Sequence, residues 1–334
     1  MDASTPFVSV IVPFRNSERW LPETLGSLHR DLETFPGEAE LVFVDSLSSD
    51  RSRSLVEEFV RGHGRRAAIV PASKPGAAAA RNVGASNAHG EWLAFLDSDD
   101  LAAPGKLAAH VECARQAGPS VGLIYSSFAD LQEADGKWQA GRLRTPRISD
   151  ADPALSLLEA EGFLQIGSTL IRRSAWMGVS GMDETMPIVH DVNLYIRMAI
   201  AGAAFTPCTA VSPSLFFRQH RSGSLTTSSR SHFYRDAETN ADLVRAHYAS
   251  LGRLHEKGVQ AALRDAYFFL AYGYARTDIA SFRRVCATLD TFSCPALPDG
   301  AGSSLRIAAR LGGYKRALMW SALWTRLKGV TAGS

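Results

Sequence analysis

The chain has 334 residues, 46% hydrophobic and 21% charged. That is ordinary globular composition, and it exceeds the length at which one core usually stops growing, so a large domain with an appendage, or two domains, is expected. Lys and Arg number 36 against 34 Asp and Glu, a balance that gives nucleic acid no electrostatic footprint.

The opening MDASTPFVSVIVPF lacks a basic stretch followed by an apolar one, so no signal peptide is expected. Residues 7–14, FVSVIVPF, form a β-branched run closed by Pro13 and read as a buried strand. Leu21, Leu25, Leu28 and Leu32 recur at helical spacing, with Pro22 in the first turn. AELVFVD (39–45) is a second buried strand. Ser48, Ser49 or Asp50 can cap the helix that follows, whose apolar positions are Leu55, Val56, Phe59 and Val60. AAIVPA (67–72) is a third strand, and AAAARNVGASNAHG a short helix stopped by Gly90. EWLAFLD is a fourth strand. Pro104 starts a helix running to about Gln116, and VGLIYSS (121–127) is a fifth strand.

Short apolar strands alternating with helices imply a mainly parallel sheet covered on both faces, an α/β fold. Residues 128–150 are polar and aperiodic and read as a loop or excursion. GFLQIGSTLIRRSAW returns to strand and then a turn of helix. HDVNLYIRMAIAG is a helix with Leu194, Met198 and Ala201 on one stripe and Gly202 as its stop. SPSLFFRQHRSGSLTTSS is a strand entering a Ser/Thr-rich loop, and from about residue 231 the pattern is helical throughout. The expected organisation is an α/β domain over 1–230 and a helical region over 231–334. No run reaches bilayer-spanning length. Cys113, Cys208, Cys286 and Cys294 form no CxxC pair and read as reduced thiols of a cytoplasmic protein, a Cys286–Cys294 disulfide being the alternative.

In such sheets ligands bind beyond the carboxyl ends of the strands. Those ends carry Pro13-Phe14-Arg15-Asn16, Asp45-Ser46 and Asp97-Ser98-Asp99-Asp100. The three acids after LAFL therefore lie past the strand, in a crevice. Asp97 and Asp99, one residue apart, can hold a hard divalent cation such as Mn2+ or Mg2+, with water and substrate phosphates completing its shell. The plainer alternative is a solvated acidic turn. Asp100 is expected to cap the next helix.

Upstream, Ala80-Arg81-Asn82-Val83-Gly84 precedes Leu96-Asp97-Ser98-Asp99-Asp100 in a set order and spacing. Together with VSVIVPFRN and VDSLSSD, these motifs resemble the family 2 glycosyltransferases over residues 7 to about 222. The resemblance implies a Rossmann-like nucleotide-sugar-binding domain of the GT-A type. By residue, it implies that Pro13, Arg15 and Asn16 run along the base and ribose, and that Asp45 accepts a hydrogen bond from a pyrimidine N–H. It implies that Arg81 faces the nucleotide, as suits a guanidinium, and that Asp97 and Ser98 lie near the ribose, with Asp97 and Asp99 on the metal. Arg15 stands where an aromatic is frequent and Ser46-Leu47 where Asp-Gly is commoner, which leaves the base open.

PIVHDVNLYIRMA resembles the family's base-bearing helix start, with Asp191 as the residue that takes the acceptor proton and His190 in place of a Glu. As a plain sequence, Asp191 reads equally as an acid stabilising a helix N-terminus. That dipole lowers a carboxyl pKa, so burial or a second carboxylate must offset it if Asp191 is a base. In FFRQHRSGSLT, His220 is a candidate metal ligand, and Arg218 and Arg221 could neutralise a leaving diphosphate. Gln165, Gly167, Ser168 and His190 are candidates for the acceptor side. RIAARLGGYKRALMWSALWTRLKG could lie on an anionic membrane surface, or pack as an ordinary helix with solvated bases.

The expected function is metal-dependent, inverting transfer of a sugar from a UDP- or dTDP-type donor to a polysaccharide, lipid-linked or protein hydroxyl. One alternative is a binding protein of the same fold without turnover. Another is a phosphohydrolase with an aspartate nucleophile, although Leu101 stands where that motif usually has Thr or Val.

Overall fold

The computed structural model describes residues 7–134, 137–219, 229–293, 297–298 and 302–331. In chain order the first elements are β1 (Val8–Phe14), α1 (Leu21–Glu33), β2 (Ala39–Asp45), α2 (Ser52–His63), β3 (Ala67–Pro71), α3 (Ala77–Asn87), β4 (Trp92–Phe95), β5 (Leu101–Ala102) and α4 (Lys106–Gln116). They continue with β6 (Val121–Tyr125), β7 (Phe128–Ala134), β8 (Lys137–Arg144), α5 (Pro153–Ser156), β9 (Thr169–Arg172), α6 (Arg173–Gly178), α7 (His190–Ile200), β10 (Ala204–Pro207) and β11 (Leu215–Arg218). The last are α8 (Arg230–Ser250), α9 (Lys257–Thr277), α10 (Ile279–Leu289) and α11 (Ser303–Thr331).

Seven strands form the main sheet in the order β10-β6-β9-β4-β1-β2-β3. All its pairings are parallel except those of β9, which runs against both β4 and β6. The fold class is therefore the α/β, mainly parallel arrangement with C-terminal helices that the sequence implies. Every residue of β1 and of β2 is buried. Strands covered on both faces read as unbroken apolar runs, and for that reason their sequences show no alternation. The register runs from Val8↔Ala39 to Phe14↔Asp45 and from Val8↔Trp92 to Ile11↔Phe95. The chain thus leaves β1, β2 and β4 at one edge of the sheet, carrying Arg15, Asp45 and Asp97 there. α3 lies tightly over this edge: a Cβ on Gly84 would collide with Ile11 Cγ2.

A second sheet has the order β5-β11-β7-β8. It corrects the expectation of a loop over 128–150, because β7 and β8 form an antiparallel hairpin there. The signal was hidden because most residues of β8 are exposed. Its half-exposed Arg144 satisfies the buried Asp130 of β7 across the strands, Nε and Nη2 donating to Oδ1 and Oδ2 at 2.9 and 3.0 Å. A pair that swaps apolar contacts for a fork of charge-assisted bonds carries no hydrophobic pattern.

The chain divides into two compact units, Met1–Leu157 with Glu161–Ser224, and Leu158–Ala160 with Leu225–Ser334. In the second, Val244, Tyr248, Leu263, Tyr267, Leu270, Val285, Leu289 and Leu318 are core residues. Ser229 and Asp278 cap α8 and α10 by accepting from His232 N and from Ala280 and Ser281 N. Cys113, Cys208 and Cys286 are free thiols, and Cys294 lies outside the described residues. Among the described residues no helix is long and apolar enough to cross a membrane.

Candidate active site

The site is built from loops at the carboxyl edge of the main sheet. The first two loops lock together. Asn16 N donates to Ser48 Oγ at 3.2 Å and Ser49 N donates back to Asn16 Oδ1 at 2.8 Å. Ser17 N donates to Ser52 Oγ at 2.7 Å. Both loops turn through left-handed backbone, Asn16 at φ 47° and Leu47 at φ 62°. Asn tolerates that conformation, whereas Leu pays strain for it. Pro13 is buried inside β1, and Arg15 is exposed beside Asn16. Asp45 ends β2 buried, with Oδ1 accepting from Ser48 N at 2.9 Å and Oδ2 lying 3.6 Å from Arg53 Nη1.

The acidic turn after β4 is held from several sides. Ser98 shares a 2.7 Å hydrogen bond between its hydroxyl and that of Ser17, and its carbonyl accepts from Thr24 Oγ1 at 3.0 Å. Asp100 N donates to Asp97 O at 3.1 Å, closing a tight turn. Asp97 and Asp99 are partly exposed, whereas Asp100 is 1% exposed. Asp100 does not cap the following helix: α4 begins at Lys106 behind Gly105, and Leu107 N in its first turn donates instead to Asp31 Oδ1 at 3.1 Å. Instead Asp100 accepts from Arg218 N at 2.9 Å and from Gln165 Nε2 at 3.5 Å. Burial, with Asp99 and Asp97 alongside, pushes its carboxyl well above the usual range.

Gln165, Gly167 and Ser168 form a turn beneath this loop. Gln165 and Ser168 are 6% and 0% exposed. Gln165 Oε1 accepts from Ile166 N at 2.7 Å, Ser168 Oγ donates to Gln165 O at 2.8 Å, and the buried Lys106 donates to Gly167 O. These polar groups are spent inside the fold, so the turn supports the acidic loop rather than facing solvent. Arg218 is likewise internal, its side chain 0% exposed. Its Nε donates to Asp99 O and its Nη2 to Glu23, both at 2.7 Å. Its guanidinium lies 4.7 Å from the Trp20 ring centre and 4.4 Å from that of Trp138. His220 and Arg221 lie outside the described residues.

Arg81 is the hub. It is 6% exposed; Nη2 pairs with Asp97 Oδ1, and Nη1 lies 2.8 Å from His190 Nε2. A guanidinium only donates, so His190 accepts through Nε2 and carries its proton on Nδ1. Burial and the Arg81 charge push His190 down to about 3, which keeps it neutral. The next residue, Asp191, keeps part of its surface exposed. Burial pushes its carboxyl up to about 6, against Arg81 and the Val192 N–H, with the Asp97 charge acting in the same direction as burial. At this helix N-terminus the dipole loses to desolvation, so Asp191 combines a carboxylate form at neutral pH with real basicity.

The segment leading into α7 is clamped by two residues. Asn82 Nδ2 donates to Met182 O and its Oδ1 accepts from Met182 N, both at 2.9 Å, while Nδ2 also reaches Glu184. Arg197 Nη2 donates to Gly181 O at 2.5 Å and its Nε to Asn193 at 2.7 Å. Sequence reasoning missed Ser17, Thr24, Trp20 and Trp138. None carries a motif; their positions matter only once β1, α1, β4 and β8 are assembled.

Among the described residues no group of three or more His, Cys, Asp or Glu could hold a metal ion. Asp97 and Asp99 offer two hard oxygen donors. One or two carboxylates suffice for Mg2+-type ions whose remaining ligands are water and substrate phosphates. The donor set fits a divalent ion shared with a diphosphate, not one caged by protein alone.

Comparison with known proteins adds context. The family profile described as Glycosyl transferase family 2 matches residues 9–177. An uncharacterized glycosyltransferase of Haemophilus influenzae is 33% identical over 103 residues, 30% of this chain and 40% of that protein. The poly(ribitol-phosphate) beta-N-acetylglucosaminyltransferase TarS of Staphylococcus aureus is 38% identical over 93 residues, 28% of this chain and 16% of that protein. The matched stretches thus span less than half the length of these relatives. The crystal structure of S. aureus TarS 1–349 in complex with UDP-GlcNAc is similar with a TM-score of 0.54 and 18% identity, covering 85% of this chain and 91% of that one. At that identity the likeness establishes the fold.

Proposed function

The chain belongs to glycosyl transferase family 2, and on that footing we propose that it transfers a sugar, with inversion, from a UDP- or dTDP-type sugar to a hydroxyl of a polysaccharide, lipid-linked or protein acceptor. The observation that carries this reading is the cluster Asp97–Arg81–His190–Asp191, with Asp191 raised to about 6 beside a donor-side acid turn. The UDP-GlcNAc complex of TarS 1–349 and the poly(ribitol-phosphate) acceptor in the name of that relative support a sugar nucleotide and a cell-surface polymer.

Asp191 takes the proton of the acceptor hydroxyl. The hydroxyl oxygen forms a bond to the anomeric carbon while the bond to the diphosphate oxygen breaks, and the nucleoside diphosphate leaves with the electron pair. One such displacement inverts the anomeric centre. Asp45 reads the pyrimidine, and the interlocked loops of Asn16 and Ser48–Ser49 shape the base pocket. Arg81 holds Asp97 in place and keeps positive charge between the two acids, Asp97 and Asp191. Neutral His190 accepts from Arg81 and fixes its orientation without adding charge. Asp97 and Asp99 would hold a divalent ion, which when bound neutralises charge developing on the leaving diphosphate. Membership in this family leaves the phosphohydrolase alternative without support.

The deciding experiment is calorimetric titration of the protein with UDP, dTDP, GDP and CDP, with Mn2+ and with chelator. Binding of a pyrimidine diphosphate that disappears with chelator is expected. A preference for GDP would sink the donor assignment, and binding unchanged by chelator would sink the metal assignment.

A further inference from the structure

α11 presents apolar residues where a packed helix presents polar ones. Its inner face is ordinary: Ala317, Leu318 and Ala322 are buried. Its two arms also carry exposed apolar residues, Ile307 and Leu311 on the first and Met319 and Trp320 on the second, exposed by 58%, 86%, 38% and 72%. Ile307 and Leu311 are one helical turn apart, and so are Arg316 and Trp320. Gly313, at φ 78°, separates the two pairs onto two arms. Among the described residues nothing buries these side chains.

Charge indicates what does. Residues 303–331 hold six bases (Arg306, Arg310, Lys315, Arg316, Arg326 and Lys328) and no Asp or Glu. Lys315 pairs with Asp290, and Arg306 donates to Pro298 O at 3.2 Å. Arg310 and Arg316 are exposed and face no acid among the described residues. They stand directly beside Leu311 and one turn before Trp320. Arg276 of α9 adds to this surface. It donates to Ser321 Oγ at 3.1 Å, with its guanidinium 3.7 Å from the centre of the half-exposed Tyr272 ring. A surface meant for a second copy of the chain in a two-fold contact would bring these bases against one another, which is repulsive. A surface meant for anionic lipid gains from both its parts. The bases meet headgroups, and Trp, Leu and Ile enter the acyl boundary, where an indole is favoured.

We propose that α11 docks the protein on an anionic lipid bilayer, with Ile307, Leu311, Met319 and Trp320 entering the interface and Arg310 and Arg316 engaging lipid phosphates. The helix lies in the plane of the surface and does not span it. This surface is independent of the transferase reading, and its test needs no sugar nucleotide, so the two stand or fall separately.

The test is co-sedimentation of the full chain with vesicles of phosphatidylcholine alone and of phosphatidylcholine with phosphatidylglycerol. Binding to the second, and little to the first, is expected. Arg310→Gln with Arg316→Gln should weaken it, each base being worth about fivefold in partitioning. Leu311→Glu with Trp320→Glu should abolish it. Both pairs are exposed, so unchanged circular dichroism and melting are expected alongside. No binding to anionic vesicles overturns the proposal, as does binding that survives the double Glu variant. Self-association in gel filtration that vanishes in that variant would also overturn it, assigning the face to a second copy.

Discussion

Asp191 is a carboxylate placed where two effects oppose. The N-terminus of α7 favours its charged form, while burial and Asp97 favour the neutral one, and burial dominates. In the proposed role of base, a carboxylate with a pKa of about 6 is inactive when protonated. The rate in donor-limited assays should therefore rise with pH, bend near pH 6 and level off above it. Asp191→Asn should keep nucleotide affinity and lose about 10²–10⁴-fold in turnover, with the bend gone. Unchanged turnover, or a bend retained in the variant, would remove Asp191 from the mechanism. The sequence named Asp191, Arg81 and Asp97 through the resemblance of its motifs to the family 2 glycosyltransferases. It could not pair them, because Asp97 and His190 meet on Arg81 only across a separation of about a hundred residues. It also offered two causes for a raised Asp191, burial or a second carboxylate. Both act, with burial the larger.

At the scale of elements, β11 closes the site from behind. Arg218, at its end, links Asp99, Asp100 and Glu23, and lies between Trp20, just before α1, and Trp138, on β8. Expected from sequence to meet a diphosphate, it is placed instead as a tie between four elements. Arg218→Met should destabilise the fold by about 2–4 kcal/mol, from two lost ring contacts and the hydrogen bond to Asp99 O. Denaturant titration reads this as a lower midpoint at constant slope. A change below about 0.5 kcal/mol, the level of an ordinary surface substitution, would show that the tie carries nothing. The β7–β8 hairpin that supplies Trp138 escaped sequence reasoning because period-two alternation fades where one strand is solvated and the buried charge of the other is paired. The strands β1, β2 and β4 were legible for the opposite reason: burial on both faces leaves only apolar runs.

At the scale of the whole molecule, two histidines among the described residues are buried and neutral. His110 is 0% exposed, bonded to Ser126 Oγ at 2.7 Å, and burial pushes it to about 3; His190 is pushed equally far. Their folded pKa values are depressed below the unfolded value near 6.5, so the stability they confer is complete above about pH 6.5 and is lost as pH falls toward 3. Within that window each removes about 1.4 kcal/mol per pH unit. The melting temperature should therefore drop on acidification through that range, and His110→Gln should make the drop shallower. An equal slope in the variant would show that His110 is not buried neutral.

What the sequence determined by itself was the alternation that makes a parallel sheet, the edge where ligands gather, and the acids and arginine placed there. The sheet, its ligand edge and the acids follow from periodicity and strand ends, which are local properties of the chain; the arginine follows from the motif's resemblance to a known family. Only the tertiary structure decided which carboxylate is lifted, which is tied and which is exposed. Asp97 is paired to Arg81, Asp100 is sealed beneath Arg218, and Asp191 is raised at the head of α7. The reason is physical: a side chain's charge state depends on what surrounds it in space, and in this fold those surroundings come from segments far apart in the chain.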